Sequence, residues 1–180
     1  MKVFLALVVM SAGAMFGGTL PVNTWEEFLF GGTGTFATGC LGGCTATINP
    51  VADQSLSAPF TYTGAGTLQV VDLFIAGDQF AIFDNSTFLA DTSTPTNTGV
   101  STCSNDIACA VADPTDYSFL NIALGAGPHS ITIETIQSAA GSSSGAAVLE
   151  ITSAVPEPGT LALLAGGLAL LGFRRRQKSQ

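Results

Sequence analysis

Positive charge is nearly missing from this 180-residue chain, and the little there is lies at its two ends. The five cations are Lys2, Arg174, Arg175, Arg176 and Lys178. No lysine or arginine occurs from residue 3 to residue 173, whereas all 13 carboxylates fall between Glu26 and Glu157. Salt bridges to lysine or arginine are therefore excluded in the middle of the chain. Its acids must face water, accept hydrogen bonds or bind a metal ion.

The lack of cations also argues against two classes of partner. Nucleic acid binding needs lysine or arginine to displace phosphate counterions, and binding to anionic lipid needs a basic patch. We expect neither partner for the middle of the chain. Charged residues make up only 10 % of the sequence, against about 25 % in soluble domains. With many Gly, Ser and Thr residues, this composition suits an extracellular all-β module.

The N-terminal stretch MKVFLALVVMSAGAMFGG has the features of a short secretory signal peptide. Lys2 precedes an apolar run, and small residues follow that run, which is the order found in such peptides. Ala12-Gly13-Ala14 fits the small-x-small cleavage pattern. We therefore expect a signal segment over residues 1–18, with a cut after Ala14 or, as the alternative, near Gly18.

The C-terminal stretch TLALLAGGLALLGF, residues 160–173, contains 14 residues without a charge. As a helix it would be roughly 21 Å long, short of the ~30 Å hydrocarbon core of a bilayer. Pro156 and Pro158 prevent the helix from starting earlier. The arginines 174–176 follow directly and keep the end of the chain on the cytoplasmic side. We therefore expect a marginal single transmembrane helix, which suits a temporary anchor that a processing enzyme removes.

Three features follow one another in this tail: Val155-Pro156-Glu157-Pro158, an apolar segment with a central Gly166-Gly167 pair, and the arginine triplet. Together they resemble the PEP-CTERM sorting signal of exported proteins from Gram-negative bacteria that make exopolysaccharide. The resemblance implies recognition by exosortase, an integral-membrane, transpeptidase-like enzyme, and processing near the Pro-Glu-Pro motif. It also implies a precursor held transiently in the inner membrane and a mature form at the cell surface or outside the cell.

Helical periodicity is missing between the two ends, and short β-rich runs take its place. One run places His129, Ile131, Ile133 and Thr135 on the same face by a period of two. A Gly77-Asp78 turn separates two others. These remaining runs cover residues 67–75, 79–83, 117–124 and 146–152. The pattern predicts an antiparallel β-sandwich or jelly roll.

Four cysteines occur as two close pairs, Cys40 with Cys44 and Cys103 with Cys109. In an exported protein an even number of cysteines indicates disulfides, and three connectivities are possible. We favour the two local bridges, Cys40–Cys44 and Cys103–Cys109, because each pair brackets a turn-rich loop. Such short bridges staple loops instead of holding the domain together. One tetrahedral zinc site with four thiolate ligands is the alternative.

Aspartates on turns provide a second possible metal site. Asp72, Asp78 and Asp84 recur every six residues, and Asp106 lies in the loop between the second cysteine pair. Hard oxygen ligands on loops suit calcium, but no EF-hand spacing occurs, and aspartate is also an ordinary turn former. We expect no cofactor, with calcium as the alternative.

The sequence offers little for catalysis. His129 is the single histidine, no lysine or arginine is available to stabilise an anion, and no nucleophile-elbow pattern occurs. We expect His129 to be a half-buried sheet residue and the protein not to be an enzyme. Only Trp25, Tyr62 and Tyr117 offer amphipathic rings, because most phenylalanines fit a core-like alternation. An extracellular glycan hydrolase that uses two carboxylates is the third hypothesis. It ranks last because nothing in the sequence selects a catalytic pair among 13 acids.

The expected organisation is a signal segment 1–18, an extracellular β-sandwich domain 19–153 and a sorting segment 154–180. The middle, in particular DLFIAGDQFAIFDNSTFLADTS and GAGPHSITI, also resembles secreted β-sandwich modules found in PEP-CTERM proteins. The expected function is a non-enzymatic structural or adhesive role at the cell surface or in the extracellular matrix. The alternative is a calcium-assisted, lectin-like module that binds exopolysaccharide.

Replacement of the arginines 174–176 by neutral residues tests their predicted role as the cytoplasmic stop. We expect weaker membrane retention and accumulation of unprocessed precursor, because the stop on the cytoplasmic side is lost. Cell fractionation with immunoblotting of precursor and processed forms measures both effects. Unchanged processing would count against a role for the triplet.

Overall fold

The structure, a computed structural model, describes residues 17–40, 44 and 47–153. The signal segment up to residue 16 and the whole sorting segment, including the expected helix 160–173, lie outside the described residues. No helix in the described part is long and apolar enough to cross a membrane. The elements in chain order are β1 (Glu26–Phe30), β2 (Phe60–Thr63), β3 (Gly66–Asp72), β4 (Gln79–Asp84), β5 (Thr87–Asp91), α1 (Ile107–Ala112), β6 (Phe119–Leu124), β7 (Pro128–Gln137) and β8 (Gly145–Ser153).

The eight strands form two four-stranded antiparallel sheets, which confirms the predicted all-β class. The first sheet has the order β1-β8-β3-β6 and the second the order β2-β7-β4-β5. Strands that lie the same number of strands before and after the β4–β5 hairpin in the chain therefore pair with each other: β3 with β6, β2 with β7, and β1 with β8. This nesting corresponds to one long hairpin rolled into two layers, which is the strand order of a jelly roll.

The main core lies between the two sheets. On β7 the four residues with a period of two, His129, Ile131, Ile133 and Thr135, lie on one face as predicted. All four are buried, including His129, which was expected to be half-buried. Phenylalanines fill the centre: the ring centroid of Phe80 lies 4.9 Å from that of Phe30 and 5.6 Å from that of Phe28. Phe28 and Phe30 come from the first sheet and Phe80 from the second, so these rings join the two layers.

A second apolar cluster lies on the outer face of the first sheet. Val71 of β3 and Val148 of β8 are paired across the sheet, and Ile107 and Ala110 of α1 pack in the same cluster. The fully buried Tyr117 completes it, and its hydroxyl accepts the backbone N–H of Cys103 at 2.9 Å. The first sheet is therefore covered on both faces in this region.

Helix α1 was not predicted, because its six residues are too few to show a helical period. Its start is encoded locally, since the Asp106 carboxylate caps it by accepting the backbone N–H of Cys109 at 3.0 Å. Strand β5 was also missed, because its residues are half-buried or exposed and carry no inward apolar pattern.

Both predicted local disulfides are present. The Cα–Cα distance is 5.1 Å for Cys40–Cys44 and 5.4 Å for Cys103–Cys109. The alternative of one zinc site with four thiolates is therefore wrong, because every cysteine is bridged.

Two phenylalanines of the same sheet test how much the core contributes to the free energy of unfolding. We expect Phe80→Ala to lower the free energy of unfolding by about 3–5 kcal/mol, because Phe80 is fully buried. The matched control, Phe88→Ala, should change it by about 0.5 kcal/mol or less, because that ring is 54 % exposed. Urea denaturation of the oxidised protein measures both values. Equal losses for the two variants would contradict this assignment of the core.

Candidate functional site

An aromatic band crosses the outer face of the second sheet. It consists of Phe36, Phe83 and Phe88, with ring centroids 6.2 Å apart for Phe36 and Phe83 and 5.8 Å apart for Phe83 and Phe88. Phe36 is 55 % exposed and Phe88 is 54 % exposed. Exposed apolar groups that form a contiguous patch commonly mark a binding surface.

The β4–β5 hairpin positions two of these rings. Its two-residue turn, Asn85-Ser86, has positive φ at both positions, 49° and 64°, as a type I′ turn requires. The turn sets Phe83 of β4 opposite Phe88 of β5. Because side chains directly opposite each other in an antiparallel pair share a face, the two rings come together.

The third ring comes from a segment that follows β1 and extends the second sheet. Phe36 pairs with Glu134 of β7 in an isolated antiparallel bridge. The backbone N–H of Ala37 donates to the Ile133 carbonyl at 2.8 Å, and the N–H of Thr135 donates to the Thr35 carbonyl at 2.9 Å. These bonds fix Phe36 on the opposite side of β7 from β4.

A groove of about 700 Å³ runs along this band. Three hydroxyl groups in its lining offer hydrogen bonds, whereas no ionisable side chain takes part. The lining residues are Phe36, Ala37, Thr38, Ala58, Pro59, Phe83, Ser86 and Thr132. An apolar, aromatic surface with a few polar groups is the usual composition of a ligand site.

The three amphipathic rings of the sequence, Trp25, Tyr62 and Tyr117, are not part of the exposed band. Tyr62 and Tyr117 are buried and Trp25 is half-buried. Phe36 and Phe88, by contrast, are exposed. The signal that could have revealed part of the band is the Asn-Ser pair between Phe83 and Phe88, because a two-residue hairpin turn sets the residues on either side of it against each other.

His129 lies at one end of the sandwich and is held by hydrogen bonds at both ring nitrogens. Nδ1 lies 2.7 Å from Oδ2 of Asp84, and Nε2 lies 2.9 Å from the Gly125 carbonyl oxygen. Carboxylate and carbonyl oxygens only accept hydrogen bonds, so both nitrogens carry protons. Burial alone would lower the pKa of His129, but the bonds to Asp84 and to the carbonyls of Gly125 and Gly64 raise it overall.

This pair is the only ion pair in the part of the chain that the structure describes. The other oxygen of Asp84, Oδ1, accepts the backbone N–H of Ser130 at 3.0 Å. The prediction that His129 is a sheet residue therefore agrees with its place on β7. Its nitrogens are committed to structural partners and neither is free to act as a base.

Asp72, the last residue of β3, and Asp78, the residue before β4, form a buried acidic pair. Oδ2 of Asp72 accepts the backbone N–H of Asp78 at 3.2 Å, and Oδ1 of Asp78 accepts the N–H of Ala139 at 2.8 Å. Oδ1 of Asp72 has no hydrogen bond partner. Burial, assisted by the charge of Asp78, raises the pKa of Asp72 to about 9, and burial raises the pKa of Asp78 to about 6.

A second buried acid group lies on β1. Oε1 of Glu26 accepts the backbone N–H of Leu56 at 2.9 Å, whereas Oε2 has no partner. Burial, and to a smaller extent the neighbouring charge of Asp53, raises the pKa of Glu26 to about 7. Its neighbour Glu27 is also fully buried, on the opposite face of the strand.

The four calcium candidates do not form one cluster of ligands. Asp72 and Asp78 contact each other, whereas Asp84 is bound to His129 and Asp106 caps α1. Calcium takes six to eight oxygen ligands, and of the four acids only Asp72 retains a buried oxygen without a hydrogen bond. Calcium therefore remains the untested alternative to the expected absence of a cofactor, and Asp72–Asp78 is the one pair among the four candidates whose members contact each other.

Comparison with known proteins concerns the C-terminal tail. The family model for the PEP-CTERM protein-sorting motif matches residues 154–176, which include Val155 to Pro158 and the arginine triplet. The chain therefore carries a PEP-CTERM sorting signal, as the resemblance indicated, and this signal implies an exported, membrane-anchored precursor that exosortase processes. Neither a curated protein nor a solved structure matches the chain.

The buried acids predict an unusual dependence of stability on pH. An unfolded chain releases the Asp72 proton near its ordinary pKa of 3.8, whereas the folded protein keeps it up to about pH 9. The folded state thus binds more protons in this range, so the free energy of unfolding should fall as pH rises from about 4 to about 9. For one proton the slope reaches at most about 1.4 kcal/mol per pH unit.

The variant Asp72→Asn should make this slope shallower, because asparagine accepts the Asp78 N–H but does not titrate. Glu26, Asp78 and His129 have raised pKa values and contribute with the same sign, so part of the slope should remain. Exposed Asp91 supplies the control Asp91→Asn, which should leave the slope unchanged. Urea denaturation between pH 4 and 9 measures it, and a wild-type slope in Asp72→Asn would refute the assignment.

Proposed function

We propose that the sandwich is the non-enzymatic adhesive module of an exported, exosortase-processed protein, and that its aromatic groove binds a neutral polysaccharide at the cell surface or in the extracellular matrix. The observation that carries this proposal is the band of Phe36, Phe83 and Phe88 on an open sheet face. The sorting signal supports the place of action, because it implies export of the protein.

The chemistry of the groove favours a sugar chain without charge. The C–H faces of a sugar pack on aromatic rings, and the hydroxyls of Thr38, Ser86 and Thr132 offer hydrogen bonds to its edges. No lysine or arginine is present between residues 3 and 173 to pair with an acidic sugar. Glu134, which pairs with Phe36 across the sheet, adds negative charge that repels one.

The groove does not favour direct sugar binding through calcium. A calcium ion that bridges protein and sugar needs carboxylate or carbonyl ligands, and no carboxylate lines the groove. Calcium at Asp72 and Asp78 would instead act on the fold. The proposal therefore keeps the lectin-like binding of a glycan but does not require calcium for contact with it.

The lack of an enzymatic role is supported by the same residues. The lining of the groove has no group that donates or removes a proton at neutral pH. Both nitrogens of His129 are bonded to Asp84 and to backbone carbonyls. Hydrolysis of a glycosidic bond needs two carboxyl groups on either side of the bond, and the groove offers none.

Binding of the mature exported protein to an array of neutral and acidic polysaccharides tests the proposal. We expect selective binding to neutral chains, unaffected by EDTA, and no release of reducing sugar. The double variant Phe36→Ala/Phe88→Ala removes one ring that lines the groove and the ring that packs against Phe83. It should weaken the affinity at least about tenfold, because aromatic anchors often contribute about 2 kcal/mol.

The control is Val51→Ala, an apolar truncation at a position that is 83 % exposed and outside the groove lining. It should bind like the wild type. Failure of every neutral glycan to bind, or equal binding by the double variant, would rule out this groove as a glycan site.

A further inference from the structure

The Cys40–Cys44 disulfide lies beside a buried carboxyl group. An oxygen of Glu27 and the sulfur atoms of Cys40 and Cys44 all lie within 4.8 Å of one another. Glu27 is fully buried, Cys40 is 1 % exposed and Cys44 is half-buried. An acid shielded from water in this way must be hydrogen-bonded, paired with a cation or protonated to offset the loss of its hydration.

The hydrogen bonds of Glu27 define the state of the two carboxyl oxygens. Oε2 accepts a hydrogen bond from the side-chain amide of Gln54 at 2.5 Å, whereas Oε1 is buried without any partner. A buried carboxylate with one unpaired oxygen is costly, and a proton on that oxygen removes the charge. Burial raises the pKa of Glu27, in agreement with this protonated form.

The surroundings of Glu27 contain no positive charge to stabilise the ionised form. Its partner across the sheet is Val148, which is apolar. The nearby titratable groups are the acids Glu26, next to it on β1, and Asp53, whose carbonyl accepts the Glu27 N–H at 2.8 Å. Without a cation nearby, burial outweighs the Gln54 hydrogen bond and favours the neutral form of Glu27.

We propose that Cys40–Cys44 is an exchange-active disulfide and that Glu27 donates the proton to the buried sulfur when the bridge opens. The reductant is a dithiol, either a small molecule or a pair of cysteines on a redox protein. This activity is independent of the groove and of the proposed glycan binding.

Reduction of the bridge begins with a thiol–disulfide exchange. A thiolate of the dithiol attacks Sγ of Cys44, the more accessible sulfur, and the Cys40–Cys44 bond breaks. Its electron pair leaves on Sγ of Cys40, which takes the proton from Glu27 and becomes a thiol. The resulting carboxylate keeps its hydrogen bond from Gln54.

The second thiol of the dithiol then completes the reduction. This thiol loses its proton to solvent and attacks the other sulfur of the dithiol, the one bonded to Sγ of Cys44. Cys44 leaves as a thiolate, and the reductant leaves as a disulfide. Two electrons have passed to the bridge, and oxidation runs the same steps in reverse.

The Cys103–Cys109 disulfide serves as an internal control. It also joins a buried cysteine, Cys103, to an exposed one, Cys109. Among the described residues, however, only the first bridge forms a close group of three ligand atoms with an acid. A difference in reactivity between the two bridges therefore reports on Glu27 more than on access alone.

Reduction of the oxidised mature protein by dithiothreitol between pH 5 and 8 tests the inference. Alkylation followed by peptide mass spectrometry gives the rate for each bridge separately. We expect Cys40–Cys44 to open faster than Cys103–Cys109 once rates are corrected for the thiolate concentration of the reagent. Glu27→Gln should slow the first bridge at least about tenfold at pH 5–6, with less effect at pH 8, and leave the second unchanged.

Three results would overturn the proposal: no difference between the bridges, an unchanged or faster rate in Glu27→Gln, or a slowing that does not depend on pH. Glu27→Asp, which keeps a carboxyl group, should restore part of the rate at low pH. Urea denaturation of each variant shows that it is folded, and a change in packing alone would not restore the dependence on pH.

Discussion

One constraint governs the polar interior of this protein: no lysine or arginine lies between residues 3 and 173, so a buried acid cannot be neutralised by the usual cations. The structure uses the two means that remain. Backbone N–H groups bind the carboxyl oxygens of Asp72, Asp78 and Glu26, and protons stay on them to unusually high pH. The single histidine forms an ion pair with Asp84, the only one among residues 17–40, 44 and 47–153. Stability and protonation are therefore coupled throughout the domain.

The sequence predicted the parts of the fold that depend on local patterns. The period of two in β7 and the apolar runs of β3, β4 and β8 identified buried strands, and the close cysteine pairs identified the bridges. The order of the strands was not predictable, because pairing of β1 with β8 depends on contacts across most of the chain. Helix α1 and strand β5 were missed because neither carries an apolar period of useful length.

The candidate sites could not be predicted from the sequence for a similar reason. Phe83 lies next to the buried Ile82, and only the register of the hairpin decides that its ring faces outward and meets Phe88. Glu27 and the disulfide are likewise brought together by packing across the loop that contains Gln54. Local sequence specifies which residues form a strand, but a binding surface depends on which strands become neighbours.

The exposed band and the negative charge of the domain are best understood together. Three phenylalanines on an open sheet face favour self-association, which would bury the groove against a second copy. A domain with acids, one histidine and no lysine or arginine repels its own copies at neutral pH. The same charge repels acidic polymers but not neutral ones. The lack of cations thus keeps the aromatic surface accessible and at the same time restricts which ligand can approach it.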